Sequence, residues 1–186
     1  MRASPVRTSD APELTWLALP SDLGDFALVA GPAGLAGILL PRPGPLPAGV
    51  HARWPGARRG TSPTLALFAQ ELRLYLAGGR PGFAGPLDLG SATEYEKSVY
   101  TVTRTITLGE TRTYGWVAER AGGSAQAVGN ALGKNPLPVV VPCHRVVAAN
   151  GLGGFTGGLE LKRNLLRLEG AAPHGQTELK LPTTAR

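Results

Sequence analysis

The segment PVVVPCHRVV, residues 138–147, places the only cysteine of the chain next to one of its three histidines. A thiol attacks carbon as the thiolate, and an unperturbed cysteine is only a few per cent ionised at neutral pH. A nucleophilic Cys143 therefore needs a base, for which His144 is the nearest candidate. A single cysteine forms no internal disulfide and no multi-cysteine zinc site, so Cys143 is either inert core filling or a reactive group.

A third candidate, Glu169, follows from the helix that the pattern of residues 159–170 predicts. The leucines of this segment lie along one apolar face, and Glu169 falls on that face, four residues after Leu165. A carboxylate that points towards a core needs a partner. Glu169 either reaches solvent at the helix end or orients His144, which then removes the proton of Cys143 directly or through a water.

Several chain elements must position these residues. The apolar segment Val139–Val141 lies between two prolines and is expected to be buried, so that Cys143 emerges at a fixed point. Of two short helices predicted before it, one begins after the capping residue Thr113 and stops at Gly122–Gly123, and the other begins after Ser124. Such a pair has the shape of a helix-turn-helix, which either binds DNA or serves only as a packing unit.

The second of these helices, SAQAVGNALGK, has two different faces. Val128 and Leu132 share one face, while Gln126 and Asn130 lie on the opposite one. The rest of its surface is almost without side chains, because it is formed by Ala125, Ala127, Gly129 and Ala131. A backbone or a ligand can therefore approach this helix closely.

The first half of the chain shows no chemistry of its own. Residues 14–20 and 26–41 are short apolar segments divided by glycine and proline, which predicts a small antiparallel sheet. Residues 41–63 are expected to form a long exposed loop. Residues 62–79 then show the apolar spacing of one helix face after a capping serine or threonine, and a linker follows.

Composition and charge exclude some classes of protein. The 186 residues, 42% of them hydrophobic, are enough for a sizeable core, and no run is long and apolar enough for a membrane span. The N-terminal segment lacks the pattern of a secretion signal, so a soluble cytoplasmic protein is expected. The net charge of +6 is spread along the chain without a basic tail. It is consistent with a nucleic-acid partner held by few phosphate contacts, or with an ordinary solvated surface.

Three motifs together resemble the signature of a known family. NPLPVVVPCHRVV, with GETRTYG upstream and FTGGLELKRNLLRLEG downstream, is similar to the O6-alkylguanine-DNA alkyltransferases, the methylated-DNA–protein-cysteine methyltransferases. The resemblance is specific over residues 90–170. It implies an α/β (α+β) fold with a small N-terminal ribonuclease-H-like α/β domain over residues 1–88, and a helical winged helix-turn-helix domain over residues 89–170. Residues 171–186 are expected to be a disordered tail.

The resemblance also implies an activity. A family member binds the minor groove of double-stranded DNA that contains O6-alkylguanine, flips the damaged base out and transfers the alkyl group to its own cysteine. The transfer is irreversible and stoichiometric, and it repairs DNA by direct reversal of damage. No cofactor or metal and no membrane are implied, and the protein is expected to be a monomer that can bind DNA cooperatively.

Residue roles carry over by position. Cys143 resembles the alkyl acceptor, His144 the base, Glu169 the residue that orients the base, and Asn135 the residue that braces the turn before the acceptor. Tyr114 matches the tyrosine that contacts the flipped base and can protonate guanine N3. The substrate and DNA contacts implied are Thr113, Tyr114, Ser124, Ala125, Gln126, Ala127, Gly129, Asn130, Leu132, Arg145, Val146, Phe155 and Thr156, and within this set Arg145 is interpreted as structural.

Three positions differ from the family pattern, and the first two bear on substrate affinity and range. Gln126 stands where the family carries an arginine that fills the space of the flipped base, and Phe155 stands where a tyrosine is common. Thr156 replaces a serine whose backbone N–H faces O6. Two alternatives remain: a non-catalytic alkyltransferase-like protein, which typically has tryptophan at the position of Cys143, and a hydrolase with a Cys–His–Glu relay that turns over.

Overall fold

The structure, a computed structural model, describes residues 13–171. The first part of the chain forms a four-stranded sheet in the order β3-β2-β1-β4, in which β1, β2 and β3 are antiparallel and β4 pairs parallel to β1. The antiparallel sheet predicted from the apolar segments is confirmed. Its strands are β1 (Thr15–Leu19), β2 (Phe26–Gly31), β3 (Gly34–Leu39) and β4 (Arg58–Arg59).

Six α-helices and a second pair of strands complete the described fold. Side-chain hydroxyls cap four of the helices at Ser62, Thr93, Thr113 and Ser124, and each accepts a hydrogen bond from a backbone N–H of the first turn. The helices are α1 (Leu46–Arg53), α2 (Pro63–Leu76), α3 (Glu94–Arg104), α4 (Tyr114–Ala121), α5 (Ala125–Gly133) and α6 (Leu159–Leu168), and the short parallel strands are β5 (Arg112–Thr113) and β6 (Val146–Val147).

The long exposed loop predicted over residues 41–63 was wrong, because this stretch contains α1 and β4. The high proline and glycine content of this stretch indicated a loop, but a proline is also well tolerated in the first turn of a helix, which is where α1 has one. Val50 of this helix is fully buried against the sheet. The Trp54 ring, just beyond α1, lies on Gly37 so closely that any side chain there would collide with it. These long-range contacts fix the segment.

The other face of the sheet carries the main core. Helix α2 packs against β2 and β3 and buries Leu65, Phe68 and Leu72. The same cluster of buried side chains continues through Val99 of α3 to Leu165 of α6, so the two halves of the chain share one core. The backbone also joins them, since the Ile38 N–H donates a hydrogen bond to the Pro136 carbonyl over 2.8 Å. The division at residues 88 and 89 remains a prediction.

Helices α4 and α5 form the helix-turn-helix unit, and the predicted capping residues Thr113 and Ser124 are confirmed. β5 pairs with β6, which places the start of α4 beside the segment that follows His144. The mixed α/β fold class is therefore as predicted. Within residues 13–171, no helix is both long and apolar enough to cross a membrane. Except for Ala171, the expected C-terminal tail lies outside the described residues.

Candidate active site

The turn before Cys143 is held by Asn135. The amide nitrogen Nδ2 of Asn135 donates to the Val141 carbonyl at 2.9 Å and lies 3.2 Å from Cys143 Sγ, and its Oδ1 accepts from the Leu137 N–H at 2.9 Å. Val139 is buried as expected, but the segment is a turn, with Val139 at a φ of 76°. A β-branched residue rarely adopts this left-handed region, so surrounding contacts must hold the backbone there.

Cys143 begins a one-turn 3₁₀-helix, Cys143–Arg145, and is 7% exposed. Burial raises the pKa of its thiol, against the hydrogen bond from Asn135 and the positive charge of Lys162, which lower it. At rest the group is therefore a thiol. A nucleophilic role requires a base close by.

His144 and Glu169 form a buried pair. His144 Nε2 lies 2.7 Å from Glu169 Oε1, and both side chains are 0% exposed. Glu169 does not reach solvent, so the surface alternative for this residue was wrong. An ionised carboxylate can only accept a hydrogen bond, so in the neutral ring Nε2 carries the hydrogen and donates it to Glu169. Nδ1 then keeps the free electron pair. Nδ1 is buried and has no hydrogen-bond partner among residues 13–171.

Burial lowers the pKa of His144, while the hydrogen bond and the negative charge of Glu169 raise it. The ring is thus neutral at neutral pH and able to accept a proton at Nδ1. No hydrogen bond joins His144 directly to Cys143 within the part of the chain that the structure describes. A proton can pass between the two neighbouring residues through one bridging water.

Arg145 is the second partner of Glu169. Its Nε donates to Oε2 at 2.8 Å, its Nη2 donates to Oε1 at 3.0 Å, and its Nη1 donates to the Ile106 carbonyl at 2.6 Å. Burial would raise the pKa of Glu169, but the hydrogen bonds from His144 and Arg145 hold it at about 2. The carboxylate is therefore ionised across the whole working range of pH.

This geometry corrects two residues in the expected DNA-contact set. Arg145 is 9% exposed and its guanidinium is fully engaged inside the protein, in agreement with its interpretation as structural. Val146 is 0% exposed and belongs to β6. Neither side chain faces the surface, so neither can contact DNA from this position.

Sequence reasoning missed Tyr75 and Lys162. The Tyr75 hydroxyl donates to Glu169 Oε1 at 2.6 Å. Lys162 is 0% exposed, and its Nζ donates to the carbonyls of Val146, Leu152 and Gly154 at 2.7, 2.5 and 3.0 Å. Burial lowers the pKa of Lys162 to about 8. For Lys162 the sequence did offer a signal. The residue directly follows Leu161 on an amphipathic helix and precedes Leu165 by three residues, a spacing that indicates a position at the apolar face.

Two cavities reach Cys143. One, of about 290 Å³, lies between the helix-turn-helix and the loop before α6, and the other, of about 330 Å³, lies between the sheet and that loop. The Tyr114 hydroxyl projects to this loop and donates to the Gly154 carbonyl at 3.3 Å. The first cavity is lined by Tyr114, Gly129, Leu132, Gly133, Cys143, Gly154, Phe155 and Thr156.

Known proteins are similar to this chain in sequence and in fold. A family model described as "6-O-methylguanine DNA methyltransferase, DNA binding domain" matches residues 94–171. A methylated-DNA–protein-cysteine methyltransferase from Methanothermobacter thermautotrophicus is 42% identical over 120 residues, which are 62% of this chain and 68% of that protein. A protein of the same name from Mycobacterium leprae is 45% identical over 119 residues, 61% of this chain and 72% of the relative. The chain belongs to the methylated-DNA–protein-cysteine methyltransferase family.

Solved structures of this family support the same assignment. The Mycobacterium tuberculosis OGT crystallised in complex with DNA aligns with a TM-score of 0.72 at 33% identity, over 84% of this chain and 92% of that one. The predicted family and fold class are thus confirmed, and the alignment extends well beyond residues 90–170, over which the sequence resemblance is specific.

Helix α5, the second helix of the helix-turn-helix, lies within the residues that the family model matches. Gln126 and Asn130 are exposed on it, and Gln126 Nε2 lies 3.3 Å from Asn130 Oδ1. The side chains of Thr113 and Ser124 are engaged as helix caps, so their hydroxyls already accept backbone hydrogen bonds. Ala125 is exposed, whereas Ala127 and Gly129 are half-buried. Within residues 13–171, no three His, Cys, Asp or Glu side chains are grouped as metal ligands.

Proposed function

We propose that this protein repairs DNA by moving the alkyl group of O6-alkylguanine onto its own Cys143, once per molecule. The observation that carries the proposal is the buried His144–Glu169 pair directly beside a cysteine that reaches a cavity. The non-catalytic alkyltransferase-like alternative is not favoured, because both the nucleophile and its relay are present.

The proposed reaction starts with a proton transfer. The Sγ proton of Cys143 passes through a bridging water to His144 Nδ1, and Glu169 stabilises the imidazolium that forms. The thiolate then attacks the alkyl carbon. The Sγ–C bond forms, the C–O6 bond breaks, and its electron pair leaves on the guanine.

The leaving purine is a poor anion unless it is hydrogen-bonded or protonated. Tyr114 lies on the cavity wall. Burial raises the pKa of its hydroxyl, and the negative charge of a nearby Cys143 thiolate raises it further. The hydroxyl therefore stays protonated and can donate to guanine N3. We assign the backbone N–H of Thr156 to O6, because Thr156 lines the same cavity. The product is a thioether, which is too poor a leaving group for this relay to displace.

DNA binding is assigned to the helix-turn-helix. The small residues of α5 allow close approach to a minor groove, and flipping brings the damaged base to the cavity beside Cys143. One chain holds all the proposed catalytic residues, which supports action as a monomer. A thiol that must remain reduced supports a cytoplasmic location.

The test uses duplex DNA with a radiolabelled methyl group on O6-methylguanine. We expect one label per protein molecule, located by peptide mass mapping on residues 142–145, and no turnover. Label released to solvent would indicate a hydrolase, and label that stays on DNA would indicate a non-catalytic binder. Cys143→Ala is the matched control, since it should bind the duplex without accepting label.

A further inference from the structure

We propose that Tyr75 is a positioning residue of the relay: its hydroxyl fixes the Glu169 carboxylate so that His144 presents Nδ1 as the base. The inference rests on the proposed alkyl transfer. Tyr75 lies on α2, in the half of the chain to which sequence reasoning assigned no chemistry. Through Tyr75, this half contributes directly to the reactivity of Cys143.

The contact is short and entirely buried. The Tyr75 hydroxyl donates to Glu169 Oε1 at 2.6 Å, the length typical of a hydrogen bond from a hydroxyl to a carboxylate. The same hydroxyl lies 3.4 Å from His144 Nε2, and Tyr75 is 1% exposed. Oε1 thus accepts from Tyr75, His144 and Arg145 together. Its direction is therefore set by one group from α2 and two from the 3₁₀-turn Cys143–Arg145.

The scaffold holds the phenol in place. Tyr75 follows Leu72 by three residues and Phe68 by seven, so all three lie on the buried side of α2. Its ring packs against Phe83, with 6.3 Å between ring centroids. Burial, together with the negative charge of Glu169, raises the pKa of Tyr75. The hydroxyl is therefore a permanent donor at any pH at which the protein is folded.

The hydroxyl has two consequences for the relay. It restrains the carboxylate, so that Oε1 stays aligned with His144 Nε2. It also takes up part of the negative charge of Glu169, and so weakens the effect of that charge on the pKa of His144. Removal should therefore slow the reaction and raise the pKa of His144. Among residues 13–171, the titratable or charged groups around the pair are Tyr75 from α2, Cys143 and Arg145 from the 3₁₀-turn, and Lys162 from α6.

The experiment uses the full chain with Tyr75→Phe. Single-turnover rates are measured against pH on methylated duplex and on free O6-alkylguanine base, which needs no flipping. We expect both rates to fall about tenfold, the low end of the effect of losing one hydrogen bond to a charged group. The acid limb should move to higher pH, because the imidazolium that forms below the pKa of His144 cannot accept a proton.

Tyr100→Phe is the matched control. Tyr100 is also 1% exposed, and its hydroxyl donates one hydrogen bond, to the Ala131 carbonyl at 3.1 Å. The substitution removes this bond and leaves the contacts of Glu169 unchanged. This variant should lose stability yet keep the pH profile. Incorporation of a ring-fluorinated tyrosine at position 75 keeps the shape and makes a stronger donor, so its acid limb should move to lower pH.

The outcomes separate the two proposals. If the wild-type protein accepts no methyl group, the proposed function fails. If the wild type reacts but Tyr75→Phe keeps its rate and acid limb, then Tyr75 only packs the core and the inference is overturned. If Tyr75→Phe does not fold, an unmoved acid limb in the fluorinated protein overturns the inference instead.

Discussion

Glutamine in place of Glu169 would remove one buried charge while keeping the shape of the side chain. The pKa of this carboxyl falls from 4.5 to about 2 on folding. A fall of that size corresponds to about 3 kcal/mol of stability at neutral pH. Breaking a buried pair by removing one partner costs about 3–5 kcal/mol, because Arg145 would be left without a counter-charge. The two arguments agree, so we expect Glu169→Gln to lose about 3 kcal/mol.

The sign of the pH dependence follows from the direction of the shift. A carboxyl whose pKa is depressed by folding stabilises the protein above its ordinary value, 4.5, and this contribution is lost as the pH falls towards about 2. His144 adds to the acid sensitivity, because burial lowers its pKa as well. The wild type should therefore lose stability steeply in acid, and Glu169→Gln should lose much less over the same pH range.

The assay combines denaturant unfolding at neutral and acidic pH with single-turnover methyl transfer. We expect transfer by Glu169→Gln to be slower by about 10² or more, the range for losing general-base assistance. Glu160→Gln is the control, since Glu160 is exposed in the first turn of the same helix and should change stability by less than about 1 kcal/mol. A Glu169→Gln variant with the same stability, the same pH dependence and the same transfer rate as the wild type would refute the reasoning. Lost stability with an unchanged rate would refute only the relay.

Three further substitutions test separate parts of the site. Cys143→Ala should abolish transfer in the labelling assay while a gel-shift measurement still detects binding to methylated duplex, since we assign the DNA contacts to the helix-turn-helix and not to the thiol. Lys162→Met keeps the aliphatic length but removes the hydrogen bonds to three carbonyls, two of them in the loop before α6 that lines the cavity. Single-turnover rates should therefore fall about tenfold on duplex and on free base. Unchanged rates would mean that this loop keeps its conformation without Lys162. Gln126→Arg should speed repair of duplex and tighten binding, because a longer charged side chain better fills the place of the flipped base. It should not change reaction with free base, and equal acceleration on both would contradict this assignment.

Local patterns predicted the elements that carry the site. The capping residues Thr113 and Ser124 marked the starts of α4 and α5 because their hydroxyls meet backbone donors only a few residues away. Glu169 was placed correctly for a similar reason. Its position four residues after Leu165 fixes which side of α6 it occupies, and that side is buried.

Contacts between distant residues could not be predicted in this way. Tyr75 reads as a core aromatic because its spacing from Leu72 is that of an apolar helix face, and its polar partner lies 94 residues further along the chain. The helix α1 was missed because its stability comes from Val50 and Trp54 packing on the sheet. A sequence pattern shows which side of an element is buried, but not which distant polar group it meets there.

The buried thiol suits a protein that reacts only once. Burial raises the pKa of Cys143, and the proton acceptor His144 Nδ1 is itself buried. A protonated thiol is a poor nucleophile and is slow to oxidise. Cys143 should therefore react little with other electrophiles while no damaged DNA is bound. We expect the proposed relay to offset this low reactivity only for an alkyl carbon held in the cavity beside Sγ. On this mechanism, we expect selectivity for bound O6-alkylguanine to come from the same burial that keeps the resting thiol protonated.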